Sequence, residues 1–256
     1  MRDVICCGIT DTGKRKNNQD SYVWMKAETA KGISVFAVVC DGMGGINKGE
    51  RASGEAVRAF GNWYKQIFPN LLQSEAFKET LFKEWDALIR KLNTQFILEG
   101  KRDGAPMGTT AVLLLLFDGN YYLANVGDSR VYAITGQEAV CLTKDHSRVM
   151  QYYEQGKITF EEIETHPERN VLLKCIGDDE DADPDFDAGE CFSDTVFLLC
   201  SDGFRHKIPI EELAEILKPY RQENAGEMKR HLNEIINTVY ERGERDNATA
   251  VALKVV

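Results

Sequence analysis

The longest unbroken apolar run in this chain, Ala111–Phe117, is seven residues long, and that length is its strongest constraint. A membrane-spanning helix needs about 20 such residues. A strand buried on both faces needs only about four to eight. Comparable runs recur at 33–40, 121–126 and 195–200, and the chain closes on another at 248–256. Arg130–Thr135 reads as a further strand, and Asp118-Gly119-Asn120 as the turn of a hairpin. Helical periodicity separates these runs. Ala56, Phe60, Trp63 and Ile67 recur at spacings of three and four. So do Leu81, Trp85, Leu88, Leu92 and Phe96, and later Met228, Leu232, Ile235 and Val239. Residues 147–164 look helical and more polar, with Gly156 as a break. Strands come in runs and helices in runs, with no regular alternation. That order predicts an α+β fold, helices covering antiparallel sheets. No Pro/Gly/Ser linker divides the 256 residues, so one domain is expected.

Composition narrows the function. Hydrophobic residues are 43% and charged residues 28%, enough apolar material for a sizeable core. The formal charge of −10 argues against non-specific nucleic-acid binding, which needs Lys and Arg against phosphates. Seven cysteines, an odd number with no C-x-x-C pair, fit neither a zinc ribbon nor a redox motif. The apolar stretch at 4–9 is too short for a signal-peptide core, so a reducing, cytoplasmic setting without membrane attachment is expected.

Two buried strands end alike, in Val39-Cys40-Asp41-Gly42 and Cys200-Ser201-Asp202-Gly203. Asp128 in Gly127-Asp128-Ser129 and Asp246 in Arg245-Asp246-Asn247 stand at similar joints. A carboxylate beside glycine at a strand end has a rigid base and lets backbone approach a ligand. Four of them converging would give the all-oxygen set that Mg²⁺ or Mn²⁺ prefers. One Asp-Gly is usually only a turn, and convergence is not visible in a sequence. The loop Gly42-Met43-Gly44-Gly45 matches neither a P-loop nor a dinucleotide fingerprint, and no Gly-x-Ser-x-Gly elbow is present.

The densest acid lies elsewhere. Residues 178–194 hold nine acids and no Lys or Arg. Asp179, Asp181, Asp183, Asp185, Asp187 and Glu190 fall at EF-hand offsets, but Pro184 stands where that loop needs glycine. The better reading is a solvated acidic loop running into a strand.

Seven strings in order then carry a resemblance: Thr12 through Asp20, Cys40-Asp41-Gly42-Met43-Gly44-Gly45, Met107-Gly108-Thr109-Thr110, Gly127-Asp128-Ser129-Arg130, His166-Pro167-Glu168-Arg169-Asn170, Ser201-Asp202-Gly203 and Arg245-Asp246-Asn247-Ala248-Thr249. The chain resembles the PPM (PP2C-like) metal-dependent protein serine/threonine phosphatases, in their compact bacterial form. The resemblance implies an α-β-β-α sandwich over 1–256, two antiparallel sheets flanked by helix pairs. It implies two Mn²⁺ or Mg²⁺ ions, with a third possible. Asp41 would bridge the two core ions, Gly42 would offer its carbonyl, and Asp202 and Asp246 would bind the second. Asp128, with Asp202, would hold the third. Asp20 would orient the attacking water, and Arg15 would grip the substrate phosphate. A flap at about 145–170, including Ser147 and Glu164, would shape access. Expected partners are phosphoserine and phosphothreonine proteins made by a cognate bacterial kinase, and the chain is expected to be a monomer.

Departures from the family pattern are Gln19, where Glu is frequent, and Met43, where eukaryotic members have His. Arg205 and His206 read as surface residues. Two other functions stay open at this stage. One is a binding module that keeps the fold without turnover. The other is a metal-dependent hydrolase of a different phosphoester.

Overall fold

The computed structural model describes residues 3–256 apart from 46, 137, 179 and 180. Its strands are β1 (Val4–Asp11), β2 (Asp20–Thr29), β3 (Gly32–Gly44), β4 (Met107–Thr109), β5 (Ala111–Phe117), β6 (Asn120–Val126), β7 (Arg130–Thr135), β8 (Glu138–Cys141), β9 (Asp185–Glu190), β10 (Thr195–Cys200) and β11 (Ala248–Val255). Its helices are α1 (Lys48–Gln66), α2 (Phe68–Leu71), α3 (Phe77–Asp103), α4 (Arg148–Glu154), α5 (Asp202–Arg205), α6 (Ile210–Ile216) and α7 (Ala225–Glu241). The strands form two antiparallel sheets, ordered β1-β11-β10-β7-β8 and β2-β3-β5-β6-β9, with β4 beside the far end of β3.

Period-2 geometry explains why antiparallel strands here are apolar throughout rather than alternating. Along β3, Val35, Ala37 and Val39, with Val112 and Leu114 of neighbouring β5, face the other sheet, where Phe197, Leu199 and Val251 meet them. Phe36, Val38 and Cys40 point the opposite way, under α1 and α3, into an aromatic cluster with Phe60, Trp63 and Trp85. On the far side, Leu198, Cys200 and Ala250 pack under Leu213, Leu232 and Ile235 of α6 and α7. Three apolar layers thus separate four layers of structure, the expected α-β-β-α sandwich.

Three expectations need correction. β3 does not stop at Asp41-Gly42 but continues to Gly44, because β4 takes over as partner and pairs Gly42 with Thr109. Of 147–164 only α4 is an α-helix. Gly156 at φ +66° ends it in a left-handed turn, and a single 3₁₀ turn follows at Ile163–Thr165. Ile67 caps α1 rather than packing with Trp63 in the core, and is 36% exposed. The β5–β6 hairpin is as read: Asp118 and Gly119 both have positive φ, the geometry of a two-residue type I′ turn. Of the EF-hand offsets, Asp179 lies outside the described residues; 185–190 is strand β9, so no such loop forms.

Candidate metal and phosphate site

The sandwich brings four strand ends to one rim. Asp41 sits near the end of β3 and pairs across the sheet with Asp20, the first residue of β2. Asp128 occupies the turn between β6 and β7, Asp202 opens α5 directly after β10, and Asp246 lies in the loop before β11. Arg15, Gln19, Asp41, Gly42, Asp128, Asp202 and Asp246 line a single cleft of about 450 Å³. Asp20 is behind it, 6% exposed.

The strings around these carboxylates hold them in place. The Asp41 carbonyl accepts from the Thr110 amide at 2.8 Å and from Thr109 Oγ1 at 2.9 Å, while the Asp41 amide donates to Thr110 Oγ1 at 2.9 Å. Asn247 stitches two loops together. Its Oδ1 accepts from the Gln19 amide at 2.8 Å, and its Nδ2 donates to the Thr12 and Asn17 carbonyls at 2.8 and 3.0 Å. Ser201 Oγ donates to Asp20 Oδ2 at 2.7 Å and accepts from the Thr249 amide at 3.0 Å. A side chain at Gly42 would collide with the Gly49 carbonyl, so α1 closes on that glycine.

Burial and mutual repulsion leave these acids in a poor state for carrying charge. Burial, with the nearby Asp202 and Asp246, pushes the Asp20 carboxyl up to about 7 against its bond from Ser201. Burial, then Asp202 and Asp145, lifts Asp128 to about 7. Asp41 is raised well above the usual carboxylate range by burial and by four neighbouring acids. Asp202 is also raised by burial, with Arg205 opposing. Asp20 Oδ1 and Asp202 Oδ1 are buried with no hydrogen-bond partner. Buried oxygens left unpaired, among carboxyls that repel one another, are what a divalent cation would satisfy. The donor set therefore fits Mg²⁺ or Mn²⁺. Among the described residues no three His, Cys, Asp or Glu side chains yet stand at metal-binding distance from one point. Asp246 is instead engaged by Arg15, Nη2 to Oδ2 at 2.6 Å. Arg15 thus lies in the cleft on an acid, with its side chain 57% exposed.

Ser147 and Glu164 do not line the cleft. They border an adjoining recess with Asp128, Asp202, Arg130, Asp145, Arg205 and His206. Here the surface reading of Arg205 and His206 fails. Arg205 is 8% exposed. It donates to Glu164 Oε1 at 3.1 Å, to Asp145 Oδ2 at 3.2 Å and to the Asp128 carbonyl at 3.3 Å. His206 Nδ1 meets Glu244 Oε2 at 2.7 Å, and Glu244 Oε1 accepts from the Asp246 amide at 3.1 Å. The end of α5 and His206 just after it therefore tie the segment carrying Glu164 to the joints bearing Asp128 and Asp246. Sequence reasoning also gave no role to Thr110, Ser201, Asn247, Asp145 and Glu244. Ser201, Thr110 and Asn247 stand inside the quoted strings, which was the available signal; Asp145 and Glu244 carried none.

Comparison with known proteins agrees with this architecture. The family model for Protein phosphatase 2C matches residues 7–246. The chain is 32% identical over 248 residues to the serine/threonine phosphatase stp of Listeria welshimeri, covering 96% of this chain and 93% of that protein. The crystal structure of the serine/threonine phosphatase Stp1 from Staphylococcus aureus superposes with a TM-score of 0.83 at 28% identity, covering 98% and 94% of the two chains. The catalytic domain of the serine threonine protein phosphatase PstP, solved in complex with two manganese ions, gives a TM-score of 0.76 at 24% identity, over 99% and 100% of the chains. That last likeness speaks for the fold alone. A double-sheet sandwich with an acidic rim defines the class, a metal-dependent phosphatase. The chain belongs to the protein phosphatase 2C family.

Proposed function

We propose that this protein removes phosphate from phosphoserine and phosphothreonine in proteins, using two Mn²⁺ or Mg²⁺ ions. The observation that carries the reading is the cleft itself: carboxylates from four separate strand ends, with a cationic side chain reaching into it. Asp41 would bridge the ions, with the Gly42 carbonyl, Asp202 and Asp246 completing their protein ligands. Asp128 would hold a third. Bound there, divalent ions supply the acidity that lets water attack phosphorus at neutral pH, and the charge that holds phosphoryl oxygens.

The chain's own groups do the rest. Asp20, fixed by the bond from Ser201 just behind the cleft, is placed to orient the attacking water. Arg15 would exchange Asp246 for the substrate phosphate, as both ligands suit its planar fork. Met43 carries no titratable group, so the leaving alkoxide takes its proton from solvent. None of the seven cysteines sits in a Cys-x5-Arg loop, so the chemistry does not run through a thiol nucleophile. Residues 1–256 act as one domain, with 145–170 as a flap. The enzyme works as a cytoplasmic monomer against a cognate serine/threonine kinase; no helix among the described residues is long and apolar enough to cross a membrane.

The test is a metal titration on three substrates: an aryl phosphate, a phosphothreonine peptide and a cyclic dinucleotide. Hydrolysis of the first two that requires Mn²⁺ and stops with chelator is the expected result. Turnover of the dinucleotide alone would transfer the protein to another phosphoester. Tight metal binding without any turnover would make it a binding module.

A further inference from the structure

The cleft has two unlike ends. Toward Asp128 it opens on the charged recess under Glu164. Toward Met43 and Gly44 it adjoins a second cavity of about 500 Å³, between the C-terminal half of α3 and β4. Met43, Gly44, Cys175 and Asp178 line both spaces, so the two adjoin. The walls of the second are mostly carbon and sulfur, from Met43, Ile97, Ala105, Pro106, Met107 and Cys175, with Lys101 and Asp178 also on its lining. Its floor cannot be filled from within. A side chain at Gly108 would press on the Ile176 carbonyl at 3.0 Å, and one at Gly100 on the Ala105 carbonyl at 3.1 Å. Met43 stands at the junction, and a thioether adapts to different apolar shapes.

Distance sets what can reach it. Asp41 and Met43 are two residues apart on β3, about 7 Å along an extended strand. An extended peptide with its phosphate at Asp41 covers that distance in two residues. We infer that the groove takes one large apolar side chain of the substrate, Leu, Met or Phe, within two positions of the phosphorylated residue. The occupant is the substrate peptide because the groove adjoins the cleft where the phosphate must sit and shares Met43 and Gly44 with it. This inference rests on the phosphatase reading above and adds sequence selectivity to it.

The experiment compares matched phosphothreonine peptides that carry Leu or Ser at each position from −2 to +2, with an aryl phosphate as the substrate that cannot reach the groove. At one of those positions kcat/KM should favour Leu by about 10-fold or more, the usual value of one apolar side chain in a pocket. Ala105→Trp, which fills the groove from its turn, and Ile97→Asp, which makes it polar, should bring that ratio near one. Both should leave aryl phosphate hydrolysis unchanged. Equal rates for all wild-type peptides would overturn the inference. So would an Ala105→Trp variant that keeps the Leu preference. A dimer in sedimentation that Ile97→Asp disperses would give the groove to a second copy instead. Absence of aryl phosphate hydrolysis in the wild type would fail the phosphatase reading first, a separate outcome.

Discussion

Two populations of acid in this chain behave in opposite ways. Along β9, Asp185 and Asp187 stand half-exposed at the outer edge of the second sheet, while Phe186 turns in and stacks on Phe82 at 4.8 Å. Asp183 is paired with Lys174 at 2.9 Å, and that ammonium holds its carboxyl below the usual range. At the rim of the sandwich, Asp20, Asp41 and Asp128 are raised instead, mainly by burial. Charge density along the sequence singles out the segment of the first group, yet among its described residues only Asp178 reaches the cleft, which Asp41 and Asp128 of the second group line. Solvent, not proximity in sequence, decides what a carboxylate can do. The acidic edge has its own use: a charged outer strand discourages pairing with another sheet.

The sharpest way to break this contrast is Asp41→Asn. The amide keeps the shape and loses the charge. We expect kcat/KM to fall by about 10³-fold or more, since a bridging ligand is worth several kcal/mol of transition-state stabilisation. The same variant should melt no lower than wild type in chelator, because it removes a repelled buried carboxyl. Wild-type rates in steady-state assays would take Asp41 out of the site.

Next comes the recess, where acid and base are both buried. Asp145 is pushed up by burial, yet Arg205 and Arg130 outweigh that and hold it below the usual range. Arg205→Ala takes one charged hydrogen bond from Asp145, which keeps Arg130 on both oxygens at 2.7 Å, and one from Glu164, and should cost about 2 kcal/mol, measured by urea unfolding. Arg205→Lys keeps the charge but not the fork, and should recover part of the loss. Equal stability of all three proteins would mean that α5 does not anchor the Glu164 segment.

How much of this was legible beforehand depends on the kind of signal. Strands such as β3 and β5 were plain because burial on both faces writes an unbroken apolar run. The ligand-type residues were legible as Asp-Gly joints and as a family resemblance. β2 escaped, since one face is half-exposed and its alternation of Tyr22, Trp24 and Lys26 is weak. Arg205 and His206 were misread because a cation next to an imidazole normally means surface. Only tertiary structure brings Asp145, Glu164 and Glu244 from distant segments to bury them. The groove beside Met43 was equally hidden: its walls come from β3, α3, β4 and the segment near Cys175, and no local pattern marks it.

A third prediction uses pH. In the metal-free protein Asp20 and Asp128 titrate near 7, above their unfolded value near 4. The folded state then binds more protons than the unfolded state across that window. Stability therefore falls as pH rises from about 4 to 7 and levels off above. With chelator present, the melting temperature should drop by about 5 °C between pH 5 and pH 8. Saturating Mn²⁺ should abolish the drop, because the ion favours the ionised carboxylates. A metal-free protein that grows more stable over this range would show that these acids are not strained by burial.

The smallest effect belongs to the edge. Asp187→Asn removes one of the exposed charges and keeps an acceptor for Tyr121 Oη, which lies 3.2 Å away. Stability should stay within about 0.5 kcal/mol and activity should not change. Asp187→Val tests the other half of the comparison. Valine suits a strand, so the fold should hold, but the outer edge of β9 loses a charge that keeps other strands away. Light scattering should then rise with protein concentration while turnover per folded molecule stays constant. A loss of turnover in Asp187→Asn would mean that the two acid populations are coupled and that β9 is more than a guarded edge.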